Sequence, residues 1–136
     1  KPYQKKIPTY LAGFTPKALN RIISSGANGW VGIPQLDLDA FKQGQEQLRK
    51  AAKEHGRDPN SVEFPVLVFP EVSEKDLGND RQPMNGSIKQ IAQDLKEFEN
   101  LGVTHVNLVF DFGSVATDLE KRLSYAKQIR DAVLIN

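Results

Sequence analysis

Apolar and polar positions follow two rhythms along this chain, and the pair of rhythms is repeated four times. Runs rich in β-branched and aromatic residues, Ile7 to Gly13, Trp30 to Ile33, Val62 to Phe69 and Val103 to Phe112, each lead through a loop into a stretch with helical spacing. Gly26, Gly56 and Gly102 mark the ends of the first three helical stretches. Consecutive strands that point the same way need a crossover helix between them, so the alternation predicts a parallel sheet.

The helical stretches carry consistent start and stop signals. Thr15 is placed to cap the first helix, with Pro16 at the first helical position and a stripe of Ala18, Leu19, Ile22 and Ile23. The second is expected to run from near Asp37 through Leu38, Phe41, Leu48 and Ala52 to His55, closed by Gly56. Ser87 with Gln90, and Thr117 with Glu120, have the spacing of capping boxes. Behind the first box lie Ile88, Ile91, Ala92, Leu95 and Phe98; behind the second lie Leu119, Leu123, Ala126, Ile129 and Val133.

The strands distinguish between two kinds of parallel sheet. A doubly wound sheet buries both faces of its central strands, which then read as continuous apolar runs. The last run does not: Val106, Leu108, Phe110 and Phe112 share one face, and His105, Asn107, Val109 and Asp111 the other. A barrel strand shows this pattern when its outer face packs on helices and its inner face lines a polar interior. The third run is less decisive, with Phe64, Val66 and Val68 on one side and Glu63, Pro65, Leu67 and Phe69 on the other. Barrel geometry is therefore the expectation, with an open flavodoxin-like sheet as the competing one.

Composition narrows the function classes. The 136 residues fit one domain, and 18 basic against 17 acidic side chains leave a formal charge of +1, which gives no electrostatic case for nucleic acid or a membrane surface. Lys1, Lys5 and Lys6 read as a solvated approach to the first strand. With no cysteine there is no disulfide, thiolate metal site or cysteine nucleophile. That, together with the lack of a signal-peptide pattern, is compatible with a cytoplasmic setting. A chain that opens on Lys is expected to be a piece of a longer protein.

The segment from Ile7 to Leu19, Ile-Pro-Thr-Tyr-Leu-Ala-Gly-Phe-Thr-Pro-Lys-Ala-Leu, followed by Ala27-Asn28-Gly29-Trp30, resembles the signature of the bacterial luciferase-like flavin-dependent oxidoreductases. Gly56-Arg57-Asp58-Pro59, Asn85-Gly86-Ser87 and Leu101-Gly102-Val103-Thr104-His105-Val106 follow in the family's order. The resemblance implies a (βα)8 TIM barrel, represented here over residues 1–136 by a C-terminal half-barrel of four βα units. A whole barrel takes about 250 residues. Two strand edges would then be unpaired, so the half is expected to pair with the missing half or with a second copy as a homodimer.

The same resemblance implies a flavin-dependent monooxygenase or oxidoreductase, with an FMN or deazaflavin coenzyme at the C-terminal mouth and hydride transfer involving a small-molecule substrate, with or without a following step of oxygen activation. The coenzyme's phosphate would be held by Ala12, Gly13, Phe14, Thr15 and Lys17, with Gly29 bordering it. A helix N-terminus preceded by glycine suits an anion, yet Thr15-Pro16 is equally a plain helix start and Lys17 a solvated side chain. No general acid or base is nominated. Asn28 stands where the family has aspartate, which removes a charge. Trp30 and His105 read as packing and structural residues, and His55 as a helix-end residue suited to the dipole. Asp111 reads as a mouth residue or a turn cap, and Arg57-Asp58-Pro59 as a turn. Pro70 to Gly86, long for a βα connection, is expected to be either a lid or a disordered link. The competing function is an inactive half-barrel or a self-associating scaffold module without flavin.

Overall fold

The computed structural model describes residue 3 and residues 6–134; Lys1 and Lys5 lie outside the described residues. Along the chain come β1 (Tyr10–Ala12), α1 (Pro16–Ser24), β2 (Gly29–Val31) and α2 (Leu38–Glu54). A short 3-10 turn (Pro59–Ser61) leads to β3 (Pro65–Val68), β4 (Glu71–Val72) and β5 (Asn85–Gly86). The chain ends with α3 (Ile88–Asn100), β6 (His105–Leu108) and α4 (Leu119–Leu134).

The four predicted runs form one parallel layer. β1 pairs with β2 in the register Tyr10 to Gly29, and β3 pairs with β6 in the register Pro65 to His105. Parallel bridges Gly29–Glu63 and Gly32–Val66 join β2 to β3, so the spatial order is β1-β2-β3-β6. The observed strands are shorter than the runs because each run also contains the turn that leads into its helix.

The helices all pack on one face of this layer. The core gathers Trp30, Phe64, Val66, Val68 and Phe110 from the strands with Leu19, Ile22, Ile23, Phe41, Leu48, Ile91, Leu95, Phe98 and Ile129 from the helices. Tyr10, Ala12, Val31, Leu67, His105, Asn107 and Val109, on the other face, take no part in that core. This is the arrangement of a barrel wall and not of a flat sheet covered on both sides. The layer is also concave: the rings of Tyr10 on β1 and His105 on β6, at opposite edges, have centroids 6.4 Å apart. Three flat strand spacings would separate those edges by about 14 Å.

Between the edges stands Glu63, which accepts a hydrogen bond of 2.5 Å from the Tyr10 hydroxyl. This bond holds the phenol pKa above the usual 10.0, and partial burial and the negative charge of Glu63 push it the same way. The native state therefore holds this proton more tightly than the unfolded chain does. The stabilisation is whole below the ordinary phenol range and is lost as pH rises through the raised native value. Tyr10→Phe is expected to cost about 1 kcal/mol at neutral pH. Urea denaturation above pH 10.0 should show the gap between the two proteins closing; a gap that stays constant with pH contradicts the assignment.

Two sequence expectations need correction. The cap of α4 is Asp118, whose carboxylate accepts from the Lys121 N–H at 3.0 Å, and not Thr117. Aspartate one residue later places an oxygen directly on the first turn. The greasy stripes of β6 and α4 are also only partly covered. Leu108, Phe110 and Ile129 reach the core, but Val106, Phe112, Leu119 and Leu123 are exposed, the last two at 66% and 64%. β6 is an edge strand and α4 has α3 as its helical neighbour on one side only. A groove of about 400 Å³, lined by Leu95, Val106, Leu108, Ile129, Val133 and Leu134, remains on this flank.

The segment from Pro70 to Gly86 is not a plain disordered link. β4 and β5 pair within it. Arg81 makes two 2.7 Å hydrogen bonds to the carboxylate of Asp94 on α3, and the same carboxylate accepts the Met84 N–H at 2.7 Å. The hydrogen bond to Asp94 raises the Arg81 pKa further, against the lowering effect of burial. Gln90 completes the capping box with Ser87 and binds both backbone groups of Leu77.

Candidate functional site

The loop after β1 owes its shape to two contacts. Gly13 has φ +147°, and a Cβ built there would lie 2.5 Å from the Ala18 Cβ, so only glycine lets the chain turn this closely into α1. Its carbonyl accepts the Trp30 indole N–H at 2.9 Å. Trp30, 1% exposed and stacked on Phe41 at 5.2 Å, is thus wall packing that also fixes the loop.

Thr15 caps α1 as expected, its hydroxyl oxygen accepting the Ala18 N–H at 3.2 Å. Among the donors of the first turn, the N–H of Leu19 binds the Thr15 carbonyl and Pro16 has none. This leaves the Lys17 N–H, beside the Lys17 ammonium and the Thr15 hydroxyl hydrogen, as donors for an external acceptor. Ala12, Phe14, Thr15 and Lys17 are all exposed, Phe14 at 64%. The first turn carries no acidic side chain. These donors fit a phosphate: several are unused, and the helix N-terminus adds partial positive charge.

Gly29 is not brought to this loop. It is the first residue of β2, paired with Tyr10, and lies about 10 Å from Gly13 along the strand direction. It is buried because the Glu63 carbonyl crosses it: a Cβ at Gly29 would sit 1.9 Å from that oxygen. Its glycine requirement is met by backbone packing at the N-terminal end of the sheet.

The other candidates have structural partners. His105 is exposed at the start of β6, with Nδ1 3.2 Å from the Thr104 hydroxyl. His55 closes α2, its Nδ1 2.9 Å from the Ala51 carbonyl oxygen. Asp111 pairs with Arg122 at 3.1 Å. No group of three or more potential metal ligands occurs among the described residues. Among them, too, no helix is long and apolar enough to cross a membrane.

Two structural residues escaped the sequence reading. Arg57 donates to the carbonyls of Ala27 and Asn28 and to both oxygens of Ser61, tying the start of β2 to the turn before β3. Gln35 exchanges two side-chain hydrogen bonds with the backbone of Phe69, extending the β2–β3 junction toward the mouth. A turn motif and a lone glutamine carry no sequence signal for such long-range clamps.

No protein-family model matches the chain, and no curated protein matches its sequence. Its structure is similar to that of a coenzyme F420-dependent tetrahydromethanopterin reductase from Methanopyrus kandleri, with a TM-score of 0.65 and 16% identity over 90% of this chain and 49% of that one. A long-chain alkane monooxygenase gives 0.64 and 14% identity over 92% and 40%. An F420-dependent secondary alcohol dehydrogenase, solved in complex with an F420–acetone adduct, gives 0.67 and 15% over 98% and 50%. The chain spans about half the length of these solved structures or somewhat less. Four parallel strands, helices on the convex face and this degree of coverage agree on one architecture: the chain has the TIM-barrel fold of these structures, in the form of a half-barrel.

Proposed function

We propose that the chain is the C-terminal half of a luciferase-like oxidoreductase and that its part in the protein is to hold the phosphate end of FMN or a deazaflavin coenzyme. The observation that carries this reading is the unused donor set at the α1 N-terminus, Lys17 N–H, Lys17 ammonium and Thr15 hydroxyl, at the C-terminal end of a barrel strand. TIM-barrel sites lie at that end. Two of the similar structures are F420-dependent enzymes, and F420 is a deazaflavin. Such a coenzyme, when bound, supplies hydride transfer. The residues of this chain supply binding and orientation: Gly13 shapes the loop, Trp30 fixes it, and Thr15 and Lys17 meet the anion.

The test is a titration of the chain with FMN and with riboflavin, which has the same ring and no phosphate. Lys17→Ala is expected to weaken FMN about fivefold and to leave riboflavin unchanged. Equal binding of the two ligands, or equal loss of both in the variant, overturns the phosphate assignment.

A second reading is favoured by the free edges. Among the described residues β1 and β6 each lack a neighbouring strand on one side, and Leu119 and Leu123 are exposed beside β6. These features suit pairing with the other half-barrel or with a second copy, with or without flavin. Sedimentation at increasing concentration separates a monomer from a dimer.

A further inference from the structure

Beyond Val68 and Leu108 the β3–β6 ladder gives way to side-chain contacts. Both carboxylate oxygens of Glu71 accept from the Ser114 N–H at 3.3 Å, and the rings of Phe69 and Phe112 lie 5.8 Å apart. We infer that Asp111–Ser114 is a gate at the mouth of the concave face, with Glu71 as its latch and Gly113 as its hinge.

The two sides of this contact differ in how firmly they are held. Glu71 belongs to β4, its N–H bonded to the Met84 carbonyl, and Met84 is in turn fixed by Asp94. The latch therefore stands on a rigid base. The gate is a short span between two buried anchors, Phe110 and Val115, at 7% and 6% exposure. Within it Phe112 is 70% exposed and Asp111 is held by an exposed ion pair to Arg122, a kind of contact that contributes little.

Gly113 has φ +88°, and a Cβ there would lie 2.0 Å from a Glu71 oxygen. Glycine at this point admits the carboxylate and tolerates a change of backbone angles once it leaves; the other bond it makes is local, its carbonyl accepting the Ala116 N–H at 3.3 Å. Release swings Phe112 away from Phe69 and widens the mouth. Elements that move are drawn from the least stable contacts of a fold, and one shared N–H on an exposed loop is such a contact. The gate rests on the chain's own contacts and does not depend on the flavin reading.

Amide hydrogen exchange tests it residue by residue. In the native chain Ser114 is expected to be protected; Glu71→Ala is expected to speed its exchange about tenfold, and Glu71→Gln less, since the amide oxygen keeps one acceptor. Gly113→Ala, whose added carbon meets Glu71, is expected to speed it as well. Val109, bonded to the Val68 carbonyl, and Leu67, bonded to Gly32, should not change. An unprotected Ser114 in the native chain, no change in Glu71→Ala, or equal acceleration at Val109 and Leu67 overturns the gate.

Discussion

Replacing Gly29 with alanine is expected to cost about 3 kcal/mol or more, the largest loss from any single added methyl in this chain. The added carbon would meet the Glu63 carbonyl oxygen at 1.9 Å and its carbon at 2.6 Å. Both are backbone atoms and cannot rotate aside. The crossing is held from two directions: Trp30 N–H donates to the Glu63 carbonyl at 3.0 Å, and Glu63 N–H to the Asn28 carbonyl at 3.1 Å. Arg57 further ties Ala27 and Asn28 to Ser61. Relief requires β2 and β3 to part at the join that makes two strand pairs into one wall. Gly26→Ala is the control, because Gly26 has φ +72° but open space around it; its cost should be about 1 kcal/mol. Urea denaturation of the three proteins checks the ranking, and similar midpoints for the two variants contradict it.

Asp94→Ala is expected to cost about 3–5 kcal/mol. The Asp94 and Arg81 side chains are only 9% and 15% exposed, and the variant leaves the guanidinium without its anion in that setting. It also removes the acceptor of the Met84 N–H, on a buried residue held at φ +67°. That conformation is uncommon for a residue with a side chain and persists where neighbours over-determine it. The damage should spread from α3 into residues 71–86, so protease cleavage there is expected to accompany the fall in stability. A stable variant with an intact segment contradicts the assignment of Asp94 as its anchor.

Local signals carried much of the fold. Thr15-Pro16 and the Ser87–Gln90 box place the starts of α1 and α3; Phe64, Val66 and Val68 read only as one side of the third run, and the structure shows that side to be buried in the core with the helices. What escaped depends on groups far apart in sequence. Gly29 reads as part of a motif, but the backbone that crosses it comes 34 residues later, at Glu63. The segment 70–86 looks disordered because it is polar, while its order comes from Asp94, beyond its end. The stripe on α4 was legible as a stripe, but its coverage depends on a neighbour that the described residues do not supply. At the candidate site, the cap and the tight glycine turn were legible at Thr15 and Gly13. The indole clamp from Trp30, 17 residues away, was not.

Nuclear Overhauser contacts between aromatic ring protons test the curled wall most directly, because Tyr10 and His105 stand on opposite edge strands with ring centroids only 6.4 Å apart. A cross-peak between Tyr10 and His105 is predicted, joining the two edge strands across the concave face. Its absence, with contacts from helix side chains to Leu67 and Asn107 on that same face, would contradict the half-barrel and with it the proposed coenzyme site.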